Sequence, residues 1–345
     1  MAARSDRRDY GLDVQHIYAA VGLRIQSGAL AARQDQTLDT TTLFPAGFPP
    51  IANSVDQAGK QFVLYSYAYF DALPSLSVTA GLSLDHVDSS FADEDAANPK
   101  LGITWQPTAR TTVRAAAFET LFGSLTTSKQ NVQPRLEPVQ VAGFTQLLFG
   151  GVADHSSVRG VSVDHEFSPK LFAGWQADTR DTESVSNLLG TNITIPFDQR
   201  ERSQRAYVYW LPTAKISVTG RYEIGRYGTE PIAPFGYTHL STERMPFEVP
   251  YFAKGGLTIG ARASHVRQEG NFQTVGGPSP FAYGEDQFSV VDVFLGYRLP
   301  NRRGLLSLTA DNLLDESFQF QDVDPTNPSL YPERLISFRF TLAFD

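Results

Sequence analysis

The 345-residue chain contains no cysteine, which excludes a disulfide framework, thiol catalysis and cysteine-bound zinc. That absence suits a chain that crosses an oxidising compartment unfolded. No stretch approaches the ~18–20 consecutive apolar residues of a membrane-spanning helix, and a mean hydropathy of -0.22 excludes a bundle of such helices. No segment carries a 3.6-residue apolar stripe, so essentially no helix is expected. Arg4, Arg7 and Arg8 are followed by no apolar run, so the first residues do not read as a signal peptide. A formal charge of -8 provides no cationic excess for general nucleic-acid binding.

Catalytic and metal motifs are also missing. There is no Walker loop, dinucleotide glycine fingerprint or Gly-x-Ser-x-Gly elbow. The histidines stand at 16, 86, 155, 165, 239 and 265, without metal-ligand spacing, and isolated strand or loop histidines are the plainer reading. Asn192-Ile193-Thr194 matches a glycosylation triplet by chance. No clustered nucleophile and base stands out, so neither an enzyme nor a cofactor is expected. The acidic stretch Asp88 to Asp95, with Asp93, Glu94 and Asp95 consecutive, has oxygen ligands that suit calcium or magnesium. A solvated charged loop accounts for it more simply, as it does for Asp322 and Asp324.

What the chain has is aromatic residues, 24 Phe and 14 Tyr, and a pattern of period two. Near the C-terminus Ile336, Phe338, Phe340, Leu342 and Phe344 share one strand face, and Ser337, Arg339, Thr341 and Ala343 share the other. A strand with lipid on one side and water on the other needs that division. The same alternation runs through Leu76–Asp85, Ile216–Ile224, Leu257–Ser264, Val291–Arg298 and Leu306–Asp311. These segments predict an all-β antiparallel meander of roughly 15 to 17 strands.

Two kinds of connection alternate. Short turns are expected at Pro74, Pro107, Pro169, Pro212, Pro250 and Pro300, each just after an aromatic: Phe70, Trp105, Phe167, Trp210, Phe247 and Tyr297. Aromatics settle at the membrane–water boundary, so this set reads as an aromatic girdle beside the periplasmic turns. Longer polar loops are expected at 37–58, 88–97, 120–134, 181–199, 227–236, 268–285 and 316–331. In 120–154 the up–down parity calls for two strands. The count makes both the first strand, near Leu12–Ala19, and the last strand run towards the periplasm, which implies a further strand before residue 1.

Charges on the polar faces must avoid lipid, where an Arg at the midplane costs ~2–4 kcal/mol. Asp85, Arg114, Asp164, Glu166, Arg221, Glu223, Arg262, Asp292, Arg298 and Arg339 are therefore expected to face a wet lumen or a plug. Both signs occur, which favours a salt-bridged wall or plug contact over a strongly ion-selective pore.

Residues 305–318, with Asn312, Leu313, Leu314, Asp315 and Phe318, resemble the penultimate strand of TonB-dependent outer-membrane receptors. Pro332-Glu333-Arg334 and the strand to Phe344 resemble their closing strand, and Leu136-Glu137-Pro138 is loosely similar to their mid-barrel Leu-x-Pro-Glu segment, with Glu and Pro exchanged. The resemblance implies a transmembrane β-barrel in the bacterial outer membrane that imports a scarce nutrient such as a siderophore-type metal chelate. It implies as partners outer-membrane lipid and lipopolysaccharide, the barrel-assembly machinery, and TonB acting through a plug domain. Residues 1–345 read as one barrel domain without plug, complete in itself or part of a larger barrel of about 22 strands. A plug-less porin or polysaccharide-export barrel is the alternative, and a soluble all-β binding protein a third.

Overall fold

Alternating side chains give each segment one oily and one polar face, and antiparallel pairing lines these faces up across the sheet. The computed structural model describes residues 2–42, 51–89, 92–122, 136–146, 153–187, 194–230, 239–273, 281–321 and 330–343. Its strands are β1 (Ala2–Ala20), β2 (Leu23–Thr42), β3 (Ile51–Leu73), β4 (Leu76–Ser89), β5 (Asp93–Thr108), β6 (Thr111–Leu121), β7 (Gln140–Val141), β8 (Phe144–Thr145), β9 (His155–Ser168) and β10 (Leu171–Asn187). They continue with β11 (Thr194–Thr213), β12 (Ile216–Glu230), β13 (His239–Phe252), β14 (Leu257–Gln273), β15 (Phe281–Arg298), β16 (Gly304–Asp311) and β17 (Leu335–Leu342). Fifteen of these form one sheet in chain order from β1 to β17, while β7 and β8 pair only with each other. β9 thus neighbours β6 directly, and the two strands expected within 120–154 form a separate hairpin rather than part of the main sheet. Among the described residues the main sheet has an odd number of strands, so β1 and β17 run in the same direction.

The short connections repeat one design. Each hairpin's last turn residue offers its carbonyl to a backbone N–H of the following strand pair, as in Asp71→Gly22, Gln106→Ser75, Glu166→Arg110, Leu211→Lys170 and Phe252→Lys215, at 2.7–2.9 Å. Pro74 and Pro169 lie in turns and Pro300 opens a single 3₁₀ turn. Pro107, Pro212 and Pro250 instead occupy the last residues of β5, β11 and β13. The turn itself is made by the hydroxyl residue that follows or precedes: Thr108 accepts the N–H of Arg110, Thr213 that of Lys215, and Ser168 that of Lys170. A hydroxyl two residues before an N–H closes such a turn locally. At Val21–Gly22 no proline is needed, because Gly22 supplies a φ of 70°.

The strands outrun their alternating segments. β2 stays in register with β3 from Leu23↔Phe70 to Thr42↔Ile51, so most of the 37–58 loop is ladder. The same holds for 181–199 and 268–285, where β10, β11, β14 and β15 extend into the expected loops. Beyond the apolar band both faces are wet and alternation fades, yet the backbone still pairs. Side chains such as Thr37 with Asp56 and Ser54 with Asp39 then bridge the strands.

The apolar band has a definite height. On β4 the outward residues run from Leu76 to Leu84 and become polar at His86; on β14 they run from Leu257 to Ala263 before His265 and Arg267. The nine residues of the β4 run rise roughly 26 Å and the seven of the β14 run roughly 20 Å, the first matching the ~25 Å apolar band of an outer-membrane barrel. Outward residues stay uncovered, with Phe338 68% and Phe167 56% exposed. Polar residues on the other face are buried, with Lys100 4% and Gln268 1% exposed. This reversal of the soluble pattern is what lipid outside and a polar interior require.

By contacts the chain divides into two compact units: residues 1–106, 114–160 and 180–199, and residues 107–113, 161–179 and 200–345. In the first, Leu30, Val63, Tyr65, Tyr67, Phe118, Val141 and Phe144 form the core. In the second, Val266, Phe288, Val290 and Leu330 do so, with Phe318 and Phe320 packed against them.

Candidate functional site

In each unit a connecting segment folds back against the inner face of its strands. In the first unit residues 136–146 carry the β7–β8 hairpin. Its apolar tip, Val141 and Phe144, is buried among Val63, Tyr65, Tyr67 and Phe118. Asp13 accepts the N–H of Leu136, whose carbonyl accepts the amides of Gln15 and Gln26. Tyr67 donates to Glu137 at 2.8 Å, and Gln146 donates to the carbonyl of Pro138 at 2.6 Å. The wall is shaped for this insertion. A Cβ at Gly160 would stand 2.3 Å from the Phe144 ring, and one at Gly102 would stand 2.9 Å from Ala142. Beneath the hairpin a polar cavity of about 30 Å³ between Asp85, Lys100 and Glu137 has room for water.

In the second unit the strap is residues 316–321. Phe318 stacks on Phe288 with centroids 4.1 Å apart, and Phe320 meets the same ring edge-on. Gln268 treats the strap backbone as another strand: its amide donates to the Gln321 carbonyl at 3.0 Å, and its oxygen accepts the Gln321 N–H at 2.8 Å. Asp286 accepts the N–H of Gln319 at 2.6 Å. The Asn-Leu-Leu-Asp sequence anchors both ends of this connection. Asn312, with a φ of 49°, donates to the carbonyls of Glu316 and Tyr331 and accepts the Glu316 N–H, while Asp315 accepts the N–H of Arg334. An Asn suits this place because its amide satisfies three backbone groups and tolerates the left-handed conformation.

Residues of β10 to β14 and of the strap line a partly open cavity of about 460 Å³. Arg205, Glu223, Arg244, Gln268, Tyr227 and Phe320 are among its lining residues. Below it the inner face carries a ladder of paired charges. Arg221 meets Glu223 at 3.1 Å and Arg262 meets Glu248 at 2.7 Å. Arg262 also lies opposite Asp292, which accepts the N–H of Asn312 at 2.9 Å.

The residues singled out in the sequence fall as follows. Asp85 is buried and accepts from Ser83 and Asn98, each at 2.7 Å. Arg114 reaches the hairpin at Gly143, and Asp164 accepts the hydroxyl of Tyr207. Arg298 and Arg339 are exposed, with Arg339 opposite Ser307 in the polar row of β17. Phe70, Trp105, Phe167, Trp210 and Phe247 are exposed near the short turns, and Tyr297 is half-buried there. Phe338, Phe340 and Leu342 are exposed in the apolar row of β17; Phe344, Asp322 and Asp324 lie outside the described residues. In the acidic stretch Asp95 meets His86 at 3.0 Å and Asp88 meets Lys60 at 3.6 Å. Among the described residues no three His, Asp or Glu are grouped to hold a metal.

Arg244, Glu248 and Gln268 are functional candidates that the sequence reading passed over. Their signal is phase: Arg244 and Glu248 alternate with Met245, Phe247 and Val249, so placing Phe247 outward turns them inward.

No protein-family model matches the sequence, and no curated protein sequence matches it. Solved structures do match the fold. The FrpB iron transporter from Neisseria meningitidis superposes with a TM-score of 0.67 at 13% identity, over 99% of this chain and 55% of that one. The ferric-catecholate import receptor Fiu from Escherichia coli K12 gives 0.63 at 13%, over 99% and 55%. The ferripyoverdine receptor of the outer membrane of Pseudomonas aeruginosa gives 0.63 at 12%, over 99% and 48%. These neighbours are transporters and receptors, and the chain spans about half their length. Its sheet has the barrel fold of the TonB-dependent outer-membrane receptors.

Proposed function

We propose that the chain forms barrel wall of an outer-membrane transporter that takes up a scarce nutrient of the metal-chelate, siderophore type. In this reading TonB supplies the energy through a plug domain, and the ligand meets the inner face and the outer loops. The single observation that carries the reading is the match of 99% of the chain to barrels of iron transporters and receptors. An apolar outer band with polar groups buried inside supports the membrane setting. Transport needs binding groups rather than a nucleophile, and the paired charges of the inner face supply a hydrated, polar wall.

The test is uptake of radio-iron supplied as a panel of chelates, in cells with and without the gene. Gene-dependent uptake that a protonophore abolishes is expected. Uptake that is unchanged for every chelate, together with steady open-channel conductance, would overturn the reading in favour of a plug-less porin.

A further inference from the structure

The 460 Å³ cavity beside the strap has the size of a small-ligand site. Two of the arginines that line it, Arg205 of β11 and Arg244 of β13, stand on the inward phase, as do Glu201 and Glu223. Glu223 lies opposite Arg244 in the register of β12 and β13 and also pairs with Arg221 at 3.1 Å. The Nε of Arg244 is buried and has no hydrogen-bond partner among the described residues. A buried guanidinium N–H without an acceptor costs free energy that an incoming oxyanion recovers. Gln176 accepts from Arg205 at a long 3.4 Å, so that guanidinium too is only weakly engaged there. The lining also includes the apolar and aromatic side chains of Leu240, Tyr227 and the strap's Phe320.

We infer that this cavity holds a carboxylate-bearing part of the transported ligand, with Arg244 and Arg205 on the carboxylates and Phe320 against an adjoining flat apolar part. Guanidinium groups match carboxylates in fork geometry. Because Gln268 lines the same cavity and holds the strap backbone at Gln321, an occupant touches the strap as well as the wall. This inference rests on the transport reading for the identity of the ligand, but the site itself is testable apart from it.

The probes are benzene-1,3,5-tricarboxylate and its neutral triamide, titrated calorimetrically into the protein purified from outer membranes in detergent. The tricarboxylate should bind and the triamide should not. Arg244→Gln and Arg205→Gln should each weaken binding roughly ten- to hundredfold, as loss of a charge-assisted hydrogen bond does. Arg33→Gln, on the outer face of the other unit, should leave it unchanged. Arg205 is exposed, so its variant remains informative if Arg244→Gln fails to show heat-modifiable gel migration. Equal binding of acid and triamide, or affinity unaltered in Arg205→Gln, overturns the inference. Chelate uptake without tricarboxylate binding overturns the site but not transport; arginine-dependent binding without uptake of any chelate supports the site and overturns transport.

Discussion

The hydroxyl of Tyr67 on β3 donates to Glu137 Oε1 at 2.8 Å, across 70 residues of chain. Tyr67 is fully buried, and Gln146 shares the same hydroxyl. This contact ties the 136–146 hairpin to the wall. Tyr67→Phe should cost about 1–3 kcal/mol, because buried partners lose their acceptor or donor. A cysteine placed at Ala142 should then react severalfold faster with a water-soluble thiol reagent than in the Tyr67 protein.

Close packing between Gly160 and Phe144 gives a second expectation. Gly160→Ala forces the buried ring to move and should destabilise by about 1–3 kcal/mol. In a Phe144→Ala background the ring is gone, and the same substitution should cost much less. A double-mutant cycle read by urea unfolding measures the coupling.

Asn312 predicts a graded series. Asn312→Ala removes three hydrogen bonds and leaves a non-glycine residue at positive φ, which should cost roughly 2–4 kcal/mol. Asn312→Gly relieves the conformation but not the bonds, so it should fall between Ala and the native residue. Protease cleavage after 321 should increase in the same order.

Lipid exposure separates the two faces of β17. Phe338→Arg puts a charge on the apolar face and should cost ~2–4 kcal/mol near the midplane, depleting the heat-modifiable form in outer membranes. Ser337→Arg, one residue away on the polar face, should assemble normally.

The wall was legible in the sequence wherever lipid imposed a period of two. Phe338 and Phe340 against Arg339, or Val291 and Leu295 against Asp292, mark β17 and β15 as strands by their alternation alone. Above the band that demand ends, and stretches such as Thr37–Thr42 looked like loop while the backbone went on pairing. Pro107 and Pro212 signalled turns, but Thr108 and Thr213 form them. The two inward segments were the least legible. Leu136-Glu137-Pro138 and Phe318–Gln321 have no periodicity, and their places are set by partners distant in sequence, Tyr67 and Gln268. Phase against Phe247 turns Arg244 inward, but its place opposite Glu223 of β12 is set by a partner on another strand.

The chain's lack of cysteine permits the most direct test of the central claim, that one face of this sheet meets lipid and the other water. Single cysteines are placed along Ile216–Ile224 of β12 in intact outer membranes and treated with a charged, water-soluble thiol reagent. Positions 217, 219 and 221 should react and positions 216, 218, 222 and 224 should not, the latter being labelled only by a membrane-soluble reagent. Equal reaction of both sets with the water-soluble reagent would contradict the account.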